Sequence, residues 1–313
     1  MFASITSVAL VGVEARPVSV EAHVGGGQKQ SFHLVGLPDT AVREARDRVV
    51  AALAVSGFWM PLGRVTVNLA PADLPKVGSA YDLPIAMAIL AASAKRDVGP
   101  FRCVALGELA LDGRVRPARG GLGAALVGRS AEVPVLLAAE SAVEASMVEG
   151  ACVRVVDSLT HAVAVAGGAA PGGSVTALPV EVAAAPDVGE VRGQPVARQA
   201  LEIAAAGGHH LLLTGPPGAG KTMLAQCLPS LLPLLDPAGQ LEVAQVWAAA
   251  DRPRTDHARP PLRAPHHTAT SAALVGGGSG VPVPGEISLA HASNTECSLT
   301  FSIENVAAVG LLL

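Results

Sequence analysis

Aromatic side chains are scarce in this 313-residue chain, at 3% of residues, although half of all residues are hydrophobic. Its cores must therefore be assembled from many small Ala, Val and Leu contacts rather than from a few large anchors. Cysteine is scarce too: Cys103, Cys152, Cys227 and Cys297 are widely separated and form no CxxC pair. That argues against a disulfide framework or a zinc knuckle and leaves free thiols in a reducing compartment as the expectation. Charge of one sign is also lacking, with 22 basic residues against 26 acidic ones and a net charge of −4. No whole-protein attraction to nucleic acid or to an anionic membrane follows, so any such contact has to be local. No apolar run approaches the ~18 residues of a membrane span. The start, Met1-Phe2-Ala3-Ser4, has no basic residue of the kind that opens a secretory signal. A soluble, cytoplasmic protein without membrane contact is expected.

The length suits two ordinary domains, each with its own core. Residues 1–165 read as one α/β unit. Val18, Val20, Ala22 and Val24 alternate with polar or small neighbours as a half-buried strand does, and Gly25-Gly26-Gly27 turns the chain. Pro38-Asp39 opens a helical stretch with Val42, Ala45, Val49 and Leu53 on one face. Arg43, Glu44, Arg46, Asp47 and Arg48 mark its wet side. Arg64 to Leu69 alternates as a strand, and Tyr81 to Ser93 reads as a helix that tolerates Pro84 in its first turn. Asp112-Gly113 between two alternating runs signals a hairpin. Val133–Ala138, a helix near Ser141–Val148, and Cys152–Val156 continue the α/β pattern. Residues 166–190 are rich in Ala, Gly and Pro, poor in charge, and read as a linker. The second domain is expected over residues 191–313.

In that second domain Ala197–Ala206 has helical composition, and His209–Thr214 is a short apolar strand running into Gly215-Pro216-Pro217-Gly218-Ala219-Gly220-Lys221-Thr222. Lys221 to Leu228 then has a helical pattern. Strand, glycine loop and helix in this order are the context of a phosphate-binding loop, and every fixed position of GxxxxGK[ST] is filled. Glycines let successive backbone N–H groups point inward at phosphate oxygens. A helix start adds unpaired N–H groups and the positive end of a dipole. Lys221 should contact the β- and γ-phosphates of ATP as a point charge, and the Thr222 hydroxyl should ligate Mg²⁺, a hard cation that prefers oxygen. Hydrolysis also needs a carboxylate at the end of a neighbouring apolar strand. Leu241–Ala250 is apolar but helical in composition, Ile287-Ser288-Leu289-Ala290 ends at His291, and Glu296 and Glu304 lack an apolar lead-in. No second carboxylate motif is legible, and no catalytic residue is assigned.

The ordered segments around this loop resemble the magnesium-chelatase-like AAA+ ATPases of the YifB/ComM family. They are Val35-Gly36-Leu37-Pro38-Asp39 with Val42 to Arg48, then Asn68 to Asp73, Gly78 to Pro84 and Leu106 to Gly113. Val191-Arg192-Gly193-Gln194, the glycine loop, Arg263 to Thr268 and Pro284 to His291 complete the set. The resemblance implies an N-terminal α/β domain of the ribosomal-S5, Lon-protease-like type. An AAA+ P-loop α/β domain that assembles as a hexameric ring would follow it. It implies ATP-driven motors, with DNA branch migration or metal chelation as the work done, and it places Gln194 beside the adenine. After His291 the family pattern continues as an apolar strand ending in Asp-Glu, whereas this chain reads Ala292-Ser293-Asn294-Thr295-Glu296-Cys297-Ser298 and stops at Leu313. An AAA+ domain left incomplete by truncation or frame shift, binding nucleotide but turning it over poorly, is the expectation.

Three further constellations invite function. The Lon-type Ser–Lys dyad, carried over from the resemblance, falls on Ala80 and Gly123, so both catalytic positions are vacant and a protease is disfavoured. Arg252, Arg254, Arg259 and Arg263 lie in a Pro-rich stretch that reads either as a solvated loop or, by resemblance, as a pore hairpin touching DNA phosphates. No aromatic residue interleaves this stretch, so it offers no base stacking. His266-His267 lacks a third ligand nearby, and His209-His210 reads as packing or fraying at a strand start.

Overall fold

A computed structural model describes residues 1–93, 101–175, 185–252, 254, 256–266, 268–278, 282–291, 297–303 and 306–312. The chain divides into two compact units, Met1–Ala177 and Leu178–Leu313. Among the described residues no helix is long and apolar enough to cross a membrane.

The first unit runs β1 (Phe2–Val11), β2 (Glu14–Val24), β3 (Ser31–Val35), α1 (Thr40–Val55), β4 (Arg64–Ala70), α2 (Asp82–Ser93), β5 (Val104–Ala105), β6 (Glu108–Leu109), β7 (Val115–Arg116), α3 (Gly121–Ser130), β8 (Val135–Leu137), α4 (Ala139–Ala145), β9 (Val153–Val155) and α5 (Leu159–Ala166). Seven strands form a mixed sheet in the order β3-β4-β2-β1-β5-β8-β9. The β1–β2 and β2–β4 pairs are antiparallel, and β3–β4, β1–β5, β5–β8 and β8–β9 are parallel. One face carries Val18, Val20, Ala22, Val65, Val67 and Leu69, all buried in one apolar cluster with α1 and α2. Asp39 caps α1, its Oδ1 accepting from Val42 N at 2.8 Å, and Val42, Ala45, Val49 and Leu53 are fully buried as their spacing predicts.

Arg48 departs from expectation. It does not belong to the wet side of α1, because its guanidinium turns inward onto Asp82 of α2, with Nε–Oδ2 at 2.6 Å and Nη2–Oδ1 at 3.0 Å. Four elements of this unit, β1, β3, α3 and α5, are absent from the sequence reading. In β1 the polar Ser4, Thr6 and Ser7 fall on both faces and blur the alternation, and α3 contains three glycines that weaken the helical signal. The expected hairpin is present as β6–β7, turning at Asp112-Gly113. Past α5 the chain stays on this unit, with Gly173 bridging Val155.

The second unit runs α6 (Pro195–Gly207), β10 (Leu211–Thr214), α7 (Lys221–Gln226), α8 (Leu228–Leu231), α9 (Pro237–Ala249), α10 (Ser271–Val275), β11 (Gly276–Gly277), β12 (Val283–Pro284), α11 (Glu286–Leu289), β13 (Cys297–Ile303) and β14 (Val306–Leu312). Its sheet order is β10-β14-β13, both pairs antiparallel. Val188 and Val191, the former at the end of the stretch read as linker, join Leu201, Leu213, Leu224, Ala225, Cys227, Leu228 and Leu232 in its apolar cluster. The single helix expected over Lys221–Leu228 is two, because Pro229 starts a new short helix.

Candidate nucleotide-phosphate site

The loop 215–220 leaves β10 and enters α7 at Lys221. Both flanks are fixed by burial, Leu213 on the strand side and Leu224 and Ala225 on the helix side, while Pro216, Pro217, Gly218 and Thr222 are exposed. Gly218 and Gly220 have φ of 79° and 81°, a region open to glycine at little cost, and a Cβ at either would meet nothing within 4 Å. The space beside both glycines is therefore open. Lys221 Nζ lies across the loop and donates to the carbonyls of Gly215 and Pro216, each at 2.8 Å. An anion settling there can draw the ammonium from neutral carbonyls into an ion pair, which adds charge–charge attraction to the hydrogen bond. Gln194, the N-cap of α6 with φ 52°, donates from Nε2 to Ala219 O at 3.3 Å. Its side chain touches the loop backbone, a contact that sequence reasoning did not foresee.

In the first unit the position that a dyad lysine would take has no room to be refilled. A Cβ on Gly123 would come within 2.7 Å of Ala15 Cβ. Lys76 is fully buried with Nζ on Pro71 O, and burial lowers its pKa. Ser79 Oγ is spent on Glu108. Cys103, Cys152 and Cys227 are free thiols, and burial pushes Cys103 up to about 12 and raises Cys227, which disfavours the thiolate in both. Among the described residues no three His, Cys, Asp or Glu side chains cluster to hold a metal ion. His266 Nδ1 pairs with Thr268 Oγ1 at 2.7 Å, and His267 lies outside the described residues, as do Glu296 and Glu304.

The arginine-rich stretch is not the solvated loop that its composition suggests. Arg263 forks onto Glu286 with Nε–Oε2 at 2.6 Å and Nη2–Oε1 at 2.9 Å, and Arg252 reaches the same carboxylate at 3.0 Å. The guanidiniums of Arg254 and Arg263 lie 5.2 and 5.3 Å from the ring centre of Trp247, whose Nε1 donates to Leu289 O. Arg254 donates to the Asp256 and Arg259 carbonyls, and Arg259 to Pro229 O. Burial lowers the pKa of both Arg254 and His257, and the arginines hold Glu286 below the usual carboxylate range. Trp247 and Glu286 are the hub of this knot. Nothing local in the sequence marks them, since their partners lie 7 to 42 positions away in the chain.

Two family models match the chain: "Magnesium chelatase, subunit ChlI" over residues 187–294 and "Subunit ChlI of Mg-chelatase" over residues 20–141. An uncharacterized protein of Mycobacterium tuberculosis is 46% identical over 291 residues, covering 91% of this chain and 58% of the relative. YifB of Escherichia coli is 42% identical over 287 residues, covering 90% of this chain and 56% of the relative. The competence protein ComM of Haemophilus influenzae is 43% identical over 299 residues, covering 92% of this chain and 58% of the relative. The chain thus spans less than three fifths of the length of each of these relatives.

Proposed function

Because this chain belongs to the magnesium-chelatase-like ATPase family of YifB and ComM, we propose that its second unit binds ATP with Mg²⁺ on residues 215–222. The observation that supports this most is the Lys221 ammonium laid across an open, glycine-lined loop at the junction of β10 and α7. Gly215, Pro216, Pro217, Gly218, Ala219 and Gly220 offer backbone N–H groups, prolines excepted, to phosphate oxygens, and Lys221 neutralises the outer phosphates. The exposed Thr222 hydroxyl is an oxygen donor of the kind Mg²⁺ prefers, and a bound Mg²⁺ would draw charge from the phosphates. Gln194 braces the loop crest through Ala219, which leaves its amide oxygen to face a base. In this reading the nucleotide serves a ring-forming motor that works on DNA in a reducing cytoplasm. The name of the competence protein supports that choice of substrate.

The test is a melting experiment with ATP and Mg²⁺ at about 100 times the dissociation constant, where binding stabilises a protein by roughly 2.7 kcal/mol. The shift should vanish in Lys221→Ala. An equal shift in that variant would place the nucleotide elsewhere. The family-model description favours a second reading, a chelatase motor. ATPase stimulated by branched DNA would support the first, and ATPase that depends on a porphyrin-binding partner the second.

A further inference from the structure

The sheet of the first unit is covered unequally. Its apolar face is sealed by α1 and α2, whereas the other face meets α3 at the end marked by Leu10 and Ala15, each within 3.1 Å of a Cβ built on Gly123. At the opposite end the ladder registers align Phe2 with His23, His23 with Thr66, and Thr66 with His33. Residues directly opposite on paired strands share a face, so these four form one row across β1, β2, β4 and β3. The row spans about 14 Å at the usual strand spacing of ~4.8 Å. Phe2 is 65% exposed, and both imidazoles are exposed. Arg64 stands two residues before Thr66 on the same face, also exposed.

The flanking loops are tied to this end of the sheet. The Met1 amino group donates to Val24 O, Gly25 N to Arg64 O, and Gln30 Nε2 to Met60 O. They present Lys29 and Trp59, the latter 86% exposed. Segments 22–33 and 57–66 contain Lys29, Arg64, His23 and His33 and not one Asp or Glu, in a chain whose net charge is −4. The nearest carboxylate on the face, Glu21 in the next row, accepts a hydrogen bond from Asn68 Nδ2 at 2.9 Å.

We propose that this uncovered row, with Arg64, Lys29 and Trp59 beside it, is a platform for single-stranded nucleic acid. A flat sheet face with a few aromatic rings can stack two or three unpaired bases, and rings accept any base because every base has a π-face. Arg64 and Lys29 supply the phosphate contacts. The charge pattern selects this partner over an apolar peptide, and a duplex keeps its bases out of reach. The row belongs to the first unit and the phosphate loop to the second, and the proposal does not rest on the ATP reading.

Fluorescence anisotropy of the full chain with labelled oligothymidylate and oligouridylate of about 16 nucleotides tests the proposal. Wild type should bind, with affinity that falls linearly as salt rises on logarithmic axes, and should bind a duplex of equal length more weakly. Tighter binding of either oligonucleotide supports the platform and names the strand. Phe2→Ala/His33→Ala should weaken binding about tenfold or more, with circular dichroism unchanged, and His33→Phe should retain it. Arg64→Glu should weaken binding and flatten the salt dependence. Lys221→Ala should bind as wild type. Absence of binding at low salt, equal affinity for the duplex, or binding untouched in the double variant overturns the proposal, as does loss of binding in Lys221→Ala.

Discussion

Asp82 is fully buried, yet it keeps three hydrogen bonds, two from Arg48 and one from Leu109 N at 3.2 Å. Burial raises its carboxyl pKa, and Arg48 pulls against that rise without cancelling it. Removing Arg48 would strand an uncompensated charge, so Arg48→Ala should cost about 3–5 kcal/mol in urea unfolding. Ser7 is the opposite case. It is buried, and its Oγ has no hydrogen-bond partner among the described residues. Ser7→Ala should therefore be neutral or stabilising by up to about 1 kcal/mol in the same measurement. Gly36 combines φ of 104° with an approach in which a Cβ would sit 2.2 Å from Leu69 O. Gly36→Ala should destabilise by about 2 kcal/mol or more, through clash and backbone strain together. At this scale the sequence reveals sides of elements better than partners. The 3.6-residue spacing placed Val42, Ala45, Val49 and Leu53 correctly, but it put Arg48 in water. Its partner Asp82 is 34 positions away, and no local pattern records it. The contact of Gln194 with Ala219 is equally invisible to local pattern, since it closes across 25 positions.

Among the elements, β2, α1, β4, α2 and the β6–β7 hairpin were legible because each carries a strong period, cap or turn signal. The arginine stretch was not, because proline and charge look alike in a solvated loop and in a knot closed by one carboxylate. That knot makes a pH prediction. The arginines lower Glu286 below its unfolded value, Arg263 foremost. The folded state then binds fewer protons than the unfolded one. Glu286 contributes stability above its unfolded pKa, which is lost as pH falls through the folded pKa. Glu286→Gln should destabilise the second unit by about 2 kcal/mol at neutral pH. The difference from wild type should shrink steadily under acid titration, and a constant difference across that range would dissociate Glu286 from the effect.

As a whole molecule, the chain has separate apolar clusters in its two units, one built around Val20, Leu53 and Leu83 and the other around Leu201, Leu213 and Leu224. Calorimetry should resolve two transitions. ATP with Mg²⁺ should raise only the one that Glu286→Gln lowers. The α/β character of both units could be read from alternating strand and helix patterns, and the loop 215–222 from its motif. The sheet order, and with it the Phe2–His33 row, could not, because register between strands of distant sequence is a tertiary property.

The chain has two tryptophans, and they sit in opposite surroundings. Trp59 of the first unit projects into water, while Trp247 of the second is shielded by two guanidiniums and bonded to Leu289 O. Each unit thus has its own optical label: a red-emitting indole open to acrylamide and a bluer one largely protected from it. Trp59→Phe should remove the quenchable fraction of the emission and leave the other. A denaturant titration followed at both wavelengths would then report which unit opens first.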